Sequence, residues 1–202
     1  MKRPKSGAPR RVPGQRNPRR VLRVLTEGAV TEPAYLAQWA RRSRNTHIDF
    51  AEYGMAPLSL VQRAREHQRE NQRRGSKHRG DFDEIWCIFD VDEHPNLHQA
   101  ITEARQSEIR VAVSNPCFEL WLILHLQDQT AAIDRHKAQR LASDLSITDG
   151  KRLNPSTLDA LLQGYEDAKG RAETLLARHI GNGSSPGSNP SSDVWELIDR
   201  LT

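Results

Sequence analysis

The chain has 202 residues, of which 36% are hydrophobic and 28% charged, with a formal net charge of +4. That length supports one sizeable domain whose core needs no disulfide or metal staple. Both cysteines, Cys87 and Cys117, lie inside apolar runs, which argues against a disulfide framework, and no apolar stretch approaches the roughly 20 residues of a membrane span.

The net charge hides an asymmetry. Residues 1–20 hold eight Lys/Arg and no acid, so the remaining 182 residues carry a net of −4. Four prolines, two glycines and no hydrophobic period predict a disordered basic arm over 1–20, ahead of a single domain over 21–202. No apolar segment follows the basic start, so a secretory signal is not expected and the expected location is cytoplasmic.

In chain order, "RVLRVLTEG" reads as a strand ending at Glu27-Gly28. "VTEPAYLAQWARR" reads as a helix with Thr31 as its cap and Tyr35, Leu36 and Trp39 on one face. "HIDFAEY" alternates like a half-buried strand, and "PLSLVQRAREHQRENQRR" is a helix that becomes very polar toward its end. "FDEIWCIFD" is apolar on both faces, as a central parallel strand is. The helix "PNLHQAITEARQS", the strand "IRVAVS" and an almost wholly apolar helix, "NPCFELWLILHLQ" with a Ser114/Asn115 cap, follow. From about 130 to 202 a helical extension is expected, interrupted by a flexible linker, "GNGSSPGSNPSS", over 181–192.

Strands and helices alternate as β-α-β-α-β-α-β-α up to residue 127. The predicted fold class is therefore α/β: a mostly parallel sheet flanked by helices, with a helical C-terminal part. Ligands in open sheets of this class bind at the carboxyl ends of the strands. Glu27, Asp90 and Ser114 all fall at such ends.

The stretch "EIWCIFDVDEHP" packs Asp90, Asp92 and Glu93 behind a buried strand. Two residues apart, Asp90 and Asp92 share a side, a placement that suits a hard divalent cation such as Mg²⁺ (or Mn²⁺). The plain alternative is that these acids cap the next helix. Glu27, at the neighbouring strand end, is a further metal ligand or a general acid/base. Glu119, alone among apolar residues at the start of its helix, is aimed at the site, paired, or held by the helix dipole. His125 lies six residues on and is a weaker candidate for moving protons, while Glu32 is read as a dipole-compensating acid. His94 and His98 make a lone pair without a third metal ligand. Phosphate-binding glycine loops, dinucleotide fingerprints, a nucleophile elbow and zinc spacings are all missing from the sequence. Residues 63–79 carry seven Lys/Arg against two Glu. With the arm, Arg63, Arg69, Arg73, Arg74, Lys77 and Arg79 are the candidate nucleic-acid contacts, since basic segments attract phosphate of any sequence.

"LTEGAVTEPAYL", "WCIFDVDEHP" and "SNPCFELWLILH", in that order and closed by "NPSSDVWELID", resemble the RloB family, over most of residues 21–200. The family comprises bacterial and archaeal proteins linked to phage defence and abortive infection. The resemblance implies a Toprim-like (Rossmannoid) fold, with the Toprim glutamate at Glu27 as general acid/base and the D-x-D pair at Asp90 and Asp92 binding Mg²⁺. Glu119 belongs to the family's own "FELW" motif, beside Asn115, and joins Glu27 as a candidate catalytic residue. Many relatives carry a lysine in "EGxxTE" where this chain has Ala29-Val30, which removes one phosphate contact. The expected function is a metal-dependent nuclease acting on RNA such as tRNA, or on DNA. The competing expectation is a non-catalytic nucleic-acid-binding or regulatory subunit of a defence complex, partnered by an ATPase encoded nearby. Strand-joining chemistry ranks last, as no tyrosine is placed by a motif to act as its nucleophile. Substrate class and the number of chains that assemble stay open.

Overall fold

The structure is a computed structural model that describes residues 19–75, 80–91, 94–185 and 187–202. Strand β1 (Arg20–Thr26), helix α1 (Thr31–Arg42), β2 (Thr46–Tyr53), α2 (Pro57–Gly75), β3 (Glu84–Asp90), α3 (Leu97–Gln106), β4 (Arg110–Asn115) and α4 (Phe118–Leu124) follow the predicted alternation. Then come α5 (Arg135–Asp144), a two-stranded hairpin of β5 (Thr148–Asp149) and β6 (Arg152–Leu153), α6 (Leu158–Gln163), α7 (Tyr165–Gly181), β7 (Ser191–Ser192) and α8 (Trp195–Ile198). Among the described residues no helix is long and apolar enough to cross a membrane.

The sheet runs in the order β2-β1-β3-β4-β7, parallel throughout except for β7. Alternation along β3 divides the core. Trp86 and Ile88 face one layer with Leu22, Val24, Tyr35, Leu36, Trp39 and every apolar residue of α4. Ile85, Cys87 and Phe89 face the other, with Leu60, Val61 and Ala64 of α2 and Ala100 and Ala104 of α3. A strand apolar on both sides is what a central position between two helical layers requires. Every residue of α4 is buried, so this helix is sandwiched between the sheet and the C-terminal helices.

Two local expectations are corrected. Thr31 does not cap α1; Val30 occupies that position without a side-chain bond, and the Thr31 hydroxyl instead donates to the Lys151 carbonyl at 2.7 Å. Ser114 and Asn115 do not cap α4, because β4 extends through both and Cys117 precedes the helix. The segment expected to be a linker is tied down over its described far half. Asn189 donates to the Ile133 carbonyl and accepts from its N–H, at 2.8 and 2.9 Å, and Ser191 and Ser192 pair with Asn115 and Ser114 as β7. Small polar residues fit a tight sheet edge as well as they fit a linker, so composition does not separate the two.

Candidate functional site

Strands β1 and β3 are neighbours, yet α1 leaves β1 toward one face and α3 leaves β3 toward the other. Their carboxyl ends therefore flank the topological switch point, where an open α/β sheet forms its ligand crevice. A cavity of about 200 Å³ opens there, lined by four acids, Glu27, Glu32, Asp90 and Glu119, and by Arg135 and Lys151.

Each acid is set by the element beneath it. Glu27 follows β1 directly; its N–H donates to the Ile88 carbonyl at 2.9 Å and so continues the ladder. Its carboxylate is held by two neighbours: Oε2 accepts from the Asp90 N–H at 3.2 Å, and Oε1 lies 2.9 Å from His94 Nε2. Glu32, in the first turn of α1, folds back to accept from the Gly28 N–H at 2.9 Å. A Cβ at position 28 would overlap that carboxylate and displace it from the Gly28 N–H. Glu119 opens α4 and is buried, as is Glu32.

The electrostatics follow from this crowding. Burial pushes the Asp90 carboxyl well above the usual carboxylate range, and the charges of Glu32, Glu27 and Glu119 push it further, while Arg135 pulls it back. The Glu32 carboxyl is raised too, first by burial and then by Glu119 and Glu27, against the hydrogen bonds that favour its charged form. The remaining wall comes from the C-terminal part: Arg135 and Gln139 from α5, and Lys151 from the β5–β6 turn, which is latched onto the start of α1 by Thr31.

Glu27, Asp90 and Glu119, three of the residues singled out in the sequence, thus meet in one cavity. Asp92 and Glu93, and Lys77 and Arg79 of the basic group, lie outside the described residues. Ser114 and Asn115 are turned away toward β7: the Ser114 and Ser192 hydroxyls are 2.9 Å apart, and Asn115 Nδ2 donates to the Gly187 carbonyl at 2.8 Å. His125 does not line the cavity. It is buried against Trp121, with Nε2 3.0 Å from the Tyr35 hydroxyl, and burial lowers its pKa to about 4, so it stays neutral as a core group.

The basic group is not gathered around the acids. Helix α2 starts at the carboxyl edge of the sheet and must run back toward the start of β3. Its far end therefore stands at the opposite edge, where Asn71 bonds the Phe82 carbonyl and Arg74 pairs with Asp81 at 2.5 Å. Arg73 lies in that same last turn, and Arg69 is exposed one turn before it. Arg63, nearer the middle, pairs with Glu52 and Glu66 at 2.9 and 2.6 Å.

Sequence reading missed Glu32, His94 as a partner of Glu27, and the wall formed by Arg135, Gln139 and Lys151. Glu32 has a local role as a first-turn acid that masked its position. The one signal for Lys151 was the "DG" of "TDGKRL", a hairpin mark that places the lysine at a turn.

Among the described residues no three His, Cys, Asp or Glu side chains form a ready-made metal-ligand group. The donor chemistry of the cavity still fits a hard divalent cation: it offers carboxylate oxygens, and a cation there would offset the repulsion that raises Asp90 and Glu32.

Fold and cavity together define an α/β protein with an acidic pocket at the switch point of a mostly parallel sheet. The chain belongs to the RloB-like protein family, whose sequence profile it matches over residues 22–201. No curated protein matches it.

Proposed function

We propose that this protein is a metal-dependent phosphodiesterase that cuts nucleic acid, RNA such as tRNA or DNA, as an effector of defence against phage. The observation that carries this reading is the convergence of Glu27, Glu32, Asp90 and Glu119 on one cavity at the switch point. Asp90, with Asp92 and Glu27, would hold Mg²⁺ or Mn²⁺, which supplies charge stabilisation at the scissile phosphate when bound. Glu27, held by the Asp90 N–H and by His94, is the group to move a proton, and His94 orients its carboxylate. Lys151 and Arg135 close the other side of the cavity, where their charge favours a phosphodiester. The buried Glu119 and Glu32 add negative charge that raises the demand for a cation.

The test is a cleavage assay of the purified protein on total tRNA, an unstructured RNA and plasmid DNA. Each is run with Mg²⁺, with Mn²⁺, with EDTA, and with Asp90→Asn/Asp92→Asn. Metal-dependent cutting lost in the double variant is the expected outcome; equal cutting by both proteins defeats the reading.

A second reading is a nucleic-acid-binding or regulatory subunit without catalysis, working beside an ATPase encoded nearby. The separation of the α2 arginines from the acidic cavity favours it, since binding then needs no access to the cavity. Binding in EDTA, with no cutting under either metal, is what it expects.

A further inference from the structure

The edge of the sheet opposite the acidic cavity gathers positive charge from segments far apart in the chain. Arg20 and Arg110, the first residues of β1 and β4, meet at Glu84, the first residue of β3, and Arg200 approaches the same carboxylate at 4.0 Å. Three guanidinium groups thus share one acid. Beside them, Arg41 and Arg42 end α1 and Arg44 sits in the turn to β2; all three are exposed. Arg42 lies 3.5 Å from Asp159, and Arg41 donates to the uncharged Gln38. The Arg200 carbonyl accepts from Thr46 at the start of β2, which fixes this group to the same edge.

The acids at this edge, Asp81, Asp83, Glu84, Glu108 and Asp159, are outnumbered even before the flanking segments are counted. The basic end of α2 also lies here, and Arg19, just ahead of β1, is where residues 1–18, with six further Lys/Arg and no acid, join the fold. Parallel strands force this clustering. In a β-α-β unit every helix end and every strand start falls on one edge, so cations placed locally in the last turns of helices add up across the sheet.

We infer that this arginine edge is a docking face for the phosphate backbone of nucleic acid, separate from the acidic cavity. Guanidinium groups match phosphate oxygens in pairs, and a convergent set of them releases counterions on binding. Seven residues of β1 separate the two edges, about 23 Å at roughly 3.3 Å per residue. A nucleic acid held at the face reaches the cavity only if it extends about 20 Å or more, on the order of six base pairs of duplex at about 3.4 Å each. The face does not rest on the nuclease reading; it holds its ligand without metal.

The test is fluorescence anisotropy of the full chain with a labelled unstructured RNA oligonucleotide, in EDTA, across a KCl series. Arg41→Glu/Arg44→Glu is compared with Lys137→Glu/Arg140→Glu on α5, which changes net charge equally beside the cavity. Arg41→Gln/Arg44→Gln is the milder variant, and circular dichroism melts confirm that each protein folds. The expected result is binding at least about tenfold weaker for the Arg41/Arg44 reversal, with a salt slope shallower by about 0.7 for each phosphate no longer neutralised. The Lys137/Arg140 variant should stay near wild type. Equal weakening in both reversals, or no binding by the wild type at low salt, overturns the docking face. Neither outcome decides whether the protein cuts in Mg²⁺, which the Asp90→Asn/Asp92→Asn comparison tests at the cavity.

Discussion

At its start, β3 presents Glu84 to Arg20, Arg110 and Arg200; at its end, it presents Asp90 to Glu27, Glu32 and Glu119. One carboxylate is over-supplied with positive partners, and the other, also partly buried, is surrounded by its own kind. Glu84 also accepts from the Trp86 indole N–H at 3.0 Å, so its charge is fully engaged within the fold. The contrast separates an acid that stabilises the fold from acids whose charge is offset only in part by Arg135 and Lys151. Groups of the second kind, raised in pKa in a crevice, are the candidates for a functional site.

The largest effect expected from breaking this contrast is on catalysis. Asp90→Asn should lower metal-dependent cutting by about 10²–10³-fold, measured as initial rate on the preferred nucleic acid. Stability should then separate the two ends by sign. Glu84→Gln leaves three arginines short of a partner and should cost about 1–2 kcal/mol in urea denaturation. Asp90→Asn relieves repulsion and should stabilise the metal-free protein by about 1 kcal/mol. Destabilisation by both would mean that Asp90 is as well satisfied as Glu84.

A third experiment titrates Mg²⁺. On the metal-dependent reading, the melting temperature should rise by about 2–4 °C in the wild type and in Glu84→Gln, but not in Asp90→Asn, which removes a carboxylate proposed to hold the ion.

The smallest effect concerns pH. Asp193 carries a carboxyl raised to about 7, first by burial and then by Glu196, against the Val113 N–H that donates to it. For such raised acids the folded state holds protons that the unfolded chain releases, so stability rises as pH falls from about 7 and is lost as pH rises. His125 acts in the opposite sense: with its pKa lowered to about 4, the fold loses stability as pH falls from about 6.5. Melts should therefore show a gain from pH 8 to 6.5 that shrinks in Asp193→Asn, and below pH 6.5 a steeper gain in His125→Gln than in the wild type, where the His125 loss offsets part of the gain from the raised acids.

The acidic end of this contrast was the more legible in the sequence. Period and length placed every strand of the parallel set, and the strand-end rule put Glu27 and Asp90 on one edge. Glu119 followed as an acid in an apolar helix. What escaped was set by distance along the chain. Glu32 satisfies a local rule and so carries no sign of its tertiary neighbours, and Lys151 and Arg135 reach the cavity only through packing of α5 and the β5–β6 turn. The basic run of α2 was visible, but its location was not read. A helix returning from the end of β2 to the start of β3 has to carry its last turns away from the cavity. That rule was available and places Arg73 and Arg74 correctly.

The β5–β6 turn and β7 also bear on synthesis. Residues 20–115 contain the four parallel strands, yet the wall at Lys151 and the edge strand at Ser191–Ser192 lie far downstream. At roughly 5–20 residues per second, Lys151 leaves the ribosome roughly 3–12 seconds after Asp90. Through that interval the nascent sheet carries its acids without their closing wall, and the β4 edge is open to pairing with other chains. Translation order thus supplies the cavity wall at Lys151 before the strand at Ser191–Ser192 that covers the β4 edge, so the acids are enclosed while that edge is still open.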